Sequence, residues 1–175
     1  SGFETIIDGT AVPSDPVGTG HGTFTFDFDA NERVNPIDND GRGVLVVAYD
    51  LDARTVDIEA VSAEDRDGTP VPVSYQYAYR EAADGSGDMV FSTRGDSDDA
   101  GTAAEDTVLR SRWLPDGAGR GDARIQGGDL GAIVVTASEC WSSNFRRVYY
   151  SDSHEISPTE GELTACAFAD QDLPE

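Results

Sequence analysis

The sequence predicts an all-β fold: an antiparallel meander of about nine or ten strands, closed into a barrel or a strongly curved sheet, with a β-sandwich as the alternative. Three observations carry this. Several windows alternate apolar and polar residues with period two, turn residues recur at about 8–12-residue intervals, and helical periodicity nowhere lasts more than a turn.

Residues 1–22 hold Pro13, Pro16, Gly18, Gly20 and Gly22 among small polar residues, which predicts an irregular lead-in or tether before a single β domain over 23–175. Ser1-Gly2-Phe3 opens with no basic, apolar or cleavage-site pattern, so a mature or trimmed form is expected. From Thr23 to Asp29 the three residues Phe24, Phe26 and Phe28 fall on one face of a half-buried strand. Gly43–Asp50, built on the apolar run Val44–Tyr49, reads as a strand buried on both faces, and Arg54–Val61 alternates, with Leu51-Asp52-Ala53 joining the two as a hairpin. Val71–Arg80 sets Val71, Val73, Tyr75, Tyr77 and Tyr79 on one side. Asp84-Gly85-Ser86-Gly87 turns the chain into a strand at Asp88–Thr93, and Arg94–Asp106 reads as an acidic mobile loop. Further strands are expected at Thr107–Leu114, Gly119–Gln126, Ala132–Ser138, Phe145–Tyr150 and Leu163–Phe168. The short sequential links favour the barrel or curved sheet.

The 175 residues suffice for a core without a metal or disulfide, and the longest apolar run, Val44–Tyr49, is far short of a membrane span. Thirty-four acids face twelve bases, all Arg, for a net charge of −22. That excess repels nucleic acid and anionic membranes and fits a salt- or calcium-containing medium. Cys140 and Cys166 sit in no Cys-x-x-Cys or Cys/His cluster, so they are expected to form a disulfide, with Trp141 packed on it. Such a pair places the chain outside the reducing cytoplasm: secreted, periplasmic or at the cell surface.

No metal or cofactor is expected. Asp27, Asp29 and Asn31 alternate, and Asp38–Gly41 and Asp65–Gly68 have calcium-loop letters, but each lacks a required position. Ser151-Asp152-Ser153-His154 has the letters of a hydrolytic triad, yet neighbours on an extended chain point to alternate faces, so no catalytic residue is assigned. Arg94-Gly95-Asp96-Ser97 and Arg120-Gly121-Asp122 spell an adhesion tripeptide that Gly-Asp turns also produce.

The partner-binding candidates are Arg110, Arg112, Arg146 and Arg147. Between residues 110 and 147 six Arg meet four acids, a net of +2 within a chain of −22. Arg110 and Arg112 share a strand face, as do Arg120 and Arg124, so a basic patch on an acidic body could take an anionic ligand or an acidic face of a second copy. Cross-strand ion pairs are the structural alternative. Tyr75, Tyr77 and Tyr79 are a second candidate, as the wall of a barrel cavity. The expectation is a non-enzymatic extracytoplasmic domain that binds or displays a protein or small-molecule partner. A lipocalin-like carrier and a hydrolase are the competing readings.

Overall fold

The computed structural model describes residues 3–15, 18–36, 42–66, 69–97, 103–169 and 173–174, with backbone alone at 64–66 and 69. Eleven strands run in chain order through one antiparallel sheet. They are β1 (Ile7–Ser14), β2 (Thr19–Asp27), β3 (Arg42–Asp50), β4 (Thr55–Arg66), β5 (Thr69–Glu81) and β6 (Gly87–Gly95), then β7 (Glu105–Trp113), β8 (Gly119–Gly127), β9 (Val134–Trp141), β10 (Arg147–Asp152) and β11 (Glu160–Gly161). The sheet is not closed, since β1 and β11 each pair on one side only, so the barrel is not realised, and the open sheet is consistent with the strongly curved sheet or the sandwich. Both edges are blunted against stray pairing: β1 carries Pro13, and β11 is two residues long.

Residues 7–14 form a strand where composition predicts an irregular lead-in. β1 pairs with β2 from Ile7↔Phe26 to Ser14↔Thr19. The glycines that obscure it serve close packing: a Cβ added at Gly22 would collide with the Tyr49 ring, and one at Gly9 with Phe24. A second difference is α1 (Phe28–Val34), a helix in a region without visible helical periodicity. Asp27 Oδ1 accepts the Ala30 amide at 2.8 Å, so the carboxylate read as one alternating oxygen ligand is a helix cap. Leu163–Phe168 holds one short 3₁₀ turn (Leu163–Ala165) rather than a strand. Asp38–Gly41 and Asp67-Gly68 lie outside the described residues.

Register divides the sheet into two unlike faces. One, the aromatic face, carries Phe24, Val47, Ile58, Tyr77, Phe91 and Leu109 as successive cross-strand partners from β2 to β7. Val47, Ala60, Val71 and Val73 are buried there, while Phe24 and Leu109 remain 38% and 37% exposed, so this face is not roofed along its whole length. The total exposed surface of 10893 Å² agrees, being about a third above what a compact globule of this mass shows. The opposite, charged face carries the Arg and Asp residues of β6–β9.

Candidate functional site

The charged face builds its own ion-pair network. Asp122 is 1% exposed and Arg120 3%. Arg120 Nε donates to Asp122 Oδ1 at 2.9 Å, Ser138 Oγ donates to the same oxygen at 2.7 Å, and Arg112 Nη2 reaches Oδ2 at 3.3 Å. Arg110 pairs with Asp88 at 2.6 Å; Arg147, which its register puts on the aromatic face, pairs with Glu160 at 2.9 Å near the far edge of the sheet. Of the four proposed partner-binding arginines, Arg110, Arg112 and Arg147 thus engage carboxylates. Arg146 alone is exposed with no ion pair among the described residues.

The C-terminal segment lies across this same charged face. Cys140 and Cys166 form the expected disulfide, with Cα atoms 5.4 Å apart. Beyond it, the Phe168 carbonyl accepts Arg120 Nη1 at 3.0 Å, the Phe168 ring sits 4.9 Å below the Arg112 guanidinium, and the Pro174 carbonyl accepts Arg124 Nη2 at 2.8 Å. The arginine row therefore receives the chain's own C-terminal strap, whose carbonyls occupy the donors that an external anion would seek. Beside the strap a groove of about 680 Å³ is lined by Ala78, Val90, Val108, Arg124, Gln126 and Pro174.

Cys140 faces this side, so Trp141, its neighbour on the strand, faces the other and is not packed on the disulfide. On the aromatic face a single row crosses five strands: Gly87, Trp113, Gly119, Trp141 and Arg147 are successive partners. Each indole lies across the preceding glycine. A Cβ at Gly87 would overlap Trp113, and one at Gly119 would overlap Trp141. The indole N–H groups are spent on turn carbonyls, Trp113 on Gly85 at 3.1 Å and Trp141 on Gly117 at 2.8 Å. Both rings are thus fixed in plane and half-exposed. The stripe Tyr75, Tyr77 and Tyr79 continues this face on β5, half-buried, with Tyr75 stacked on Phe91 (centroids 6.2 Å apart) and Tyr79 against Trp113 (5.6 Å). Tyr79 donates its hydroxyl to Glu81 at 2.6 Å, and that hydrogen bond, with burial behind it, raises the phenol above its ordinary range. These rings wall an open sheet rather than a cavity mouth.

Three hairpin turns at this end share one geometry. The amides of Gly85, Gly117 and Phe145 donate to the carbonyls of Ala82, Leu114 and Ser142, and each donor residue is left-handed, with φ of 86°, 87° and 58°. This is the three-residue loop with a bulge that calls for glycine. Two of the turns supply it. The third puts a phenylalanine there, 77% exposed, its ring beside Gly117. Trp113, Trp141 and Phe145 with Glu139 surround a shallow depression of about 570 Å³.

The other motifs are structural. His154 Nδ1 meets Ser153 Oγ at 3.1 Å, but the Asp152 carboxylate is taken by the amides of His154, Ile156 and Ser157 rather than by the imidazole. Those amides, Ile156 first, hold Asp152 below the usual carboxylate range. Asp96 and Asp122 of the two adhesion-like tripeptides are buried. Among the described residues no group of three His, Cys, Asp or Glu side chains could hold a metal. No described helix is long and apolar enough to cross a membrane.

Fold and site together define an open antiparallel meander, self-paired on a charged face and aromatic on the other. Compared with known proteins, the chain matches no protein family, no curated protein and no solved structure.

Proposed function

We propose that this chain is a non-enzymatic, extracytoplasmic binding domain that holds its partner on the aromatic face. The carrying observation is the row of Trp113 and Trp141, locked in plane over glycines yet half-exposed, continued by Tyr75, Tyr77 and Tyr79. Ordered aromatic surface is costly to leave wet and is the main source of contact energy in recognition. The Cys140–Cys166 bond and the acidic, Lys-free composition support a location outside the reducing cytoplasm. Against the arginine face as the partner site stand its ion pairs and the strap.

The test compares faces. Immobilised chain is challenged with envelope extract and culture supernatant from its source. Retention of a defined component by the parent and by Arg110→Gln/Arg146→Gln, with loss in Tyr77→Ser/Trp141→Ser, is the expected result. Loss in the arginine variant and retention in the aromatic one would return the site to Arg110 and Arg146.

A further inference from the structure

We infer that Trp113, Trp141 and Phe145 form a glycan platform, and that its ligand is a flat, uncharged β-1,4-linked hexose chain. The inference rests on the aromatic face being the binding face, and it begins from a local anomaly. Of three hairpins with the same turn geometry, two place glycine at the left-handed position and one places Phe145, at φ 58° and 77% exposed. A bulky side chain in that conformation is strained, and its ring is not buried in exchange. What Phe145 does gain is position: it stands at the rim of the depression that Trp113 and Trp141 floor.

The ligand class is set by geometry and charge. The indoles lie along the sheet, Trp113 over Gly87 and Trp141 over Gly119 with Gly121 beside it, so π faces rather than ring edges are offered. Such faces are electron-rich and attract the weakly positive C–H groups of a pyranose ring. Trp113 and Trp141 stand two strands apart, about 9.6 Å at the usual spacing. A ligand touching both must therefore be longer than one sugar. Beside the depression the Arg147 guanidinium stands between two carboxylates, Glu139 at 3.9 Å and Glu160 at 2.9 Å, all of them exposed. Together they offer acceptors and donors to hydroxyl groups. A polyanion, including single-stranded nucleic acid, which also stacks on aromatic platforms, is disfavoured by the −22 of the chain.

Tryptophan emission of the full chain is titrated with cellohexaose, chitohexaose, maltohexaose and glucose. A saturable change with cellohexaose or chitohexaose is expected, with glucose about tenfold weaker because it spans one ring only. Phe145→Gly should weaken the hexamer by about tenfold while the melting temperature holds or rises, since glycine is what the two equivalent turns use. Glu139→Gln should weaken it less, with folding intact. Silence towards both β-linked hexamers overturns the inference, as does equal binding by Phe145→Gly or by the curled maltohexaose. If the sugars are silent while retention still depends on Tyr77 and Trp141, only the glycan assignment falls. If retention moves to the arginine variant, both fall.

Discussion

The two faces of one sheet solve the same problem in opposite ways. Both carry side chains that water would leave unsatisfied or unfavourably wet, and β6–β9 supply both sets. On the charged face the buried carboxylate is met internally: Asp122 collects Arg120, Arg112 and Ser138, and strap carbonyls accept from Arg120 and Arg124, although the buried Nε of Arg124 has no hydrogen-bond partner among the described residues. On the aromatic face the indole N–H groups are likewise satisfied, by turn carbonyls, but the rings stay partly exposed. Charge density alone therefore misidentifies a site. Arginines that already have carboxylates are architecture, whereas rigid, partly exposed rings are available for recognition.

The comparison breaks most visibly at Asp122. Asp122→Asn leaves Arg120 buried without its counter-charge and should cost about 3–5 kcal/mol in denaturant unfolding. A loss below about 1 kcal/mol would mean that the network is solvated and the charged face is not self-sufficient. Next in size is the disulfide. Cys140→Ser/Cys166→Ser opens a loop of 26 residues and should cost about 3.5 kcal/mol. The same variant should also raise the exposure of the arginine row as the strap loosens, measured by hydrogen exchange over β7–β9.

These two effects are unequally legible in the sequence. The cysteine pair can be read because two cysteines allow one intramolecular bond. That Arg110 and Arg112 share a face is also legible, because strand periodicity is local. Their partners are not, since Asp88 and Asp122 stand on neighbouring strands and register is fixed only by the assembled sheet. The Trp row is hidden for the same reason: residues 87, 113, 119 and 141 meet only through successive pairings. β1 is masked because Gly9 and Pro13 mimic a linker, and α1 because Asp27-Phe28-Asp29 continues the alternation of β2 across a helix cap.

Smaller effects sharpen the contrast. Arg146→Gln/Arg147→Gln removes two exposed ion pairs, both of Arg147, and one unpaired charge, so unfolding should change by no more than about 1 kcal/mol. A loss of several kcal/mol would place these arginines in the architecture with Arg120. The smallest effect is local and set by pH. Asp152 titrates below its unfolded value because the amides of Ile156 and Ser157 favour its charged form. Its stabilising contribution is complete above the ordinary Asp value of about 3.9 and is lost as pH falls through the lower folded value. Amide exchange at Ile156 and Ser157, corrected for its intrinsic pH dependence, should accelerate across that acid window while β6–β8 stay protected. Unchanged protection there would show that the turn does not depend on the carboxylate.

The strictly sequential strand order has a consequence for how such a chain varies over evolutionary time. Each strand pairs with its chain neighbours and no connection crosses the sheet. Removing or duplicating a hairpin such as β6–β7 would displace the later strands without rewiring any other pairing, much as a bay is added to a row of buildings. The constraint on such editing is the strap, because it ties residue 166 to residue 140 and then returns over strands β7 and β8. Length change is thus tolerated most readily ahead of β6, among the strands the strap does not reach.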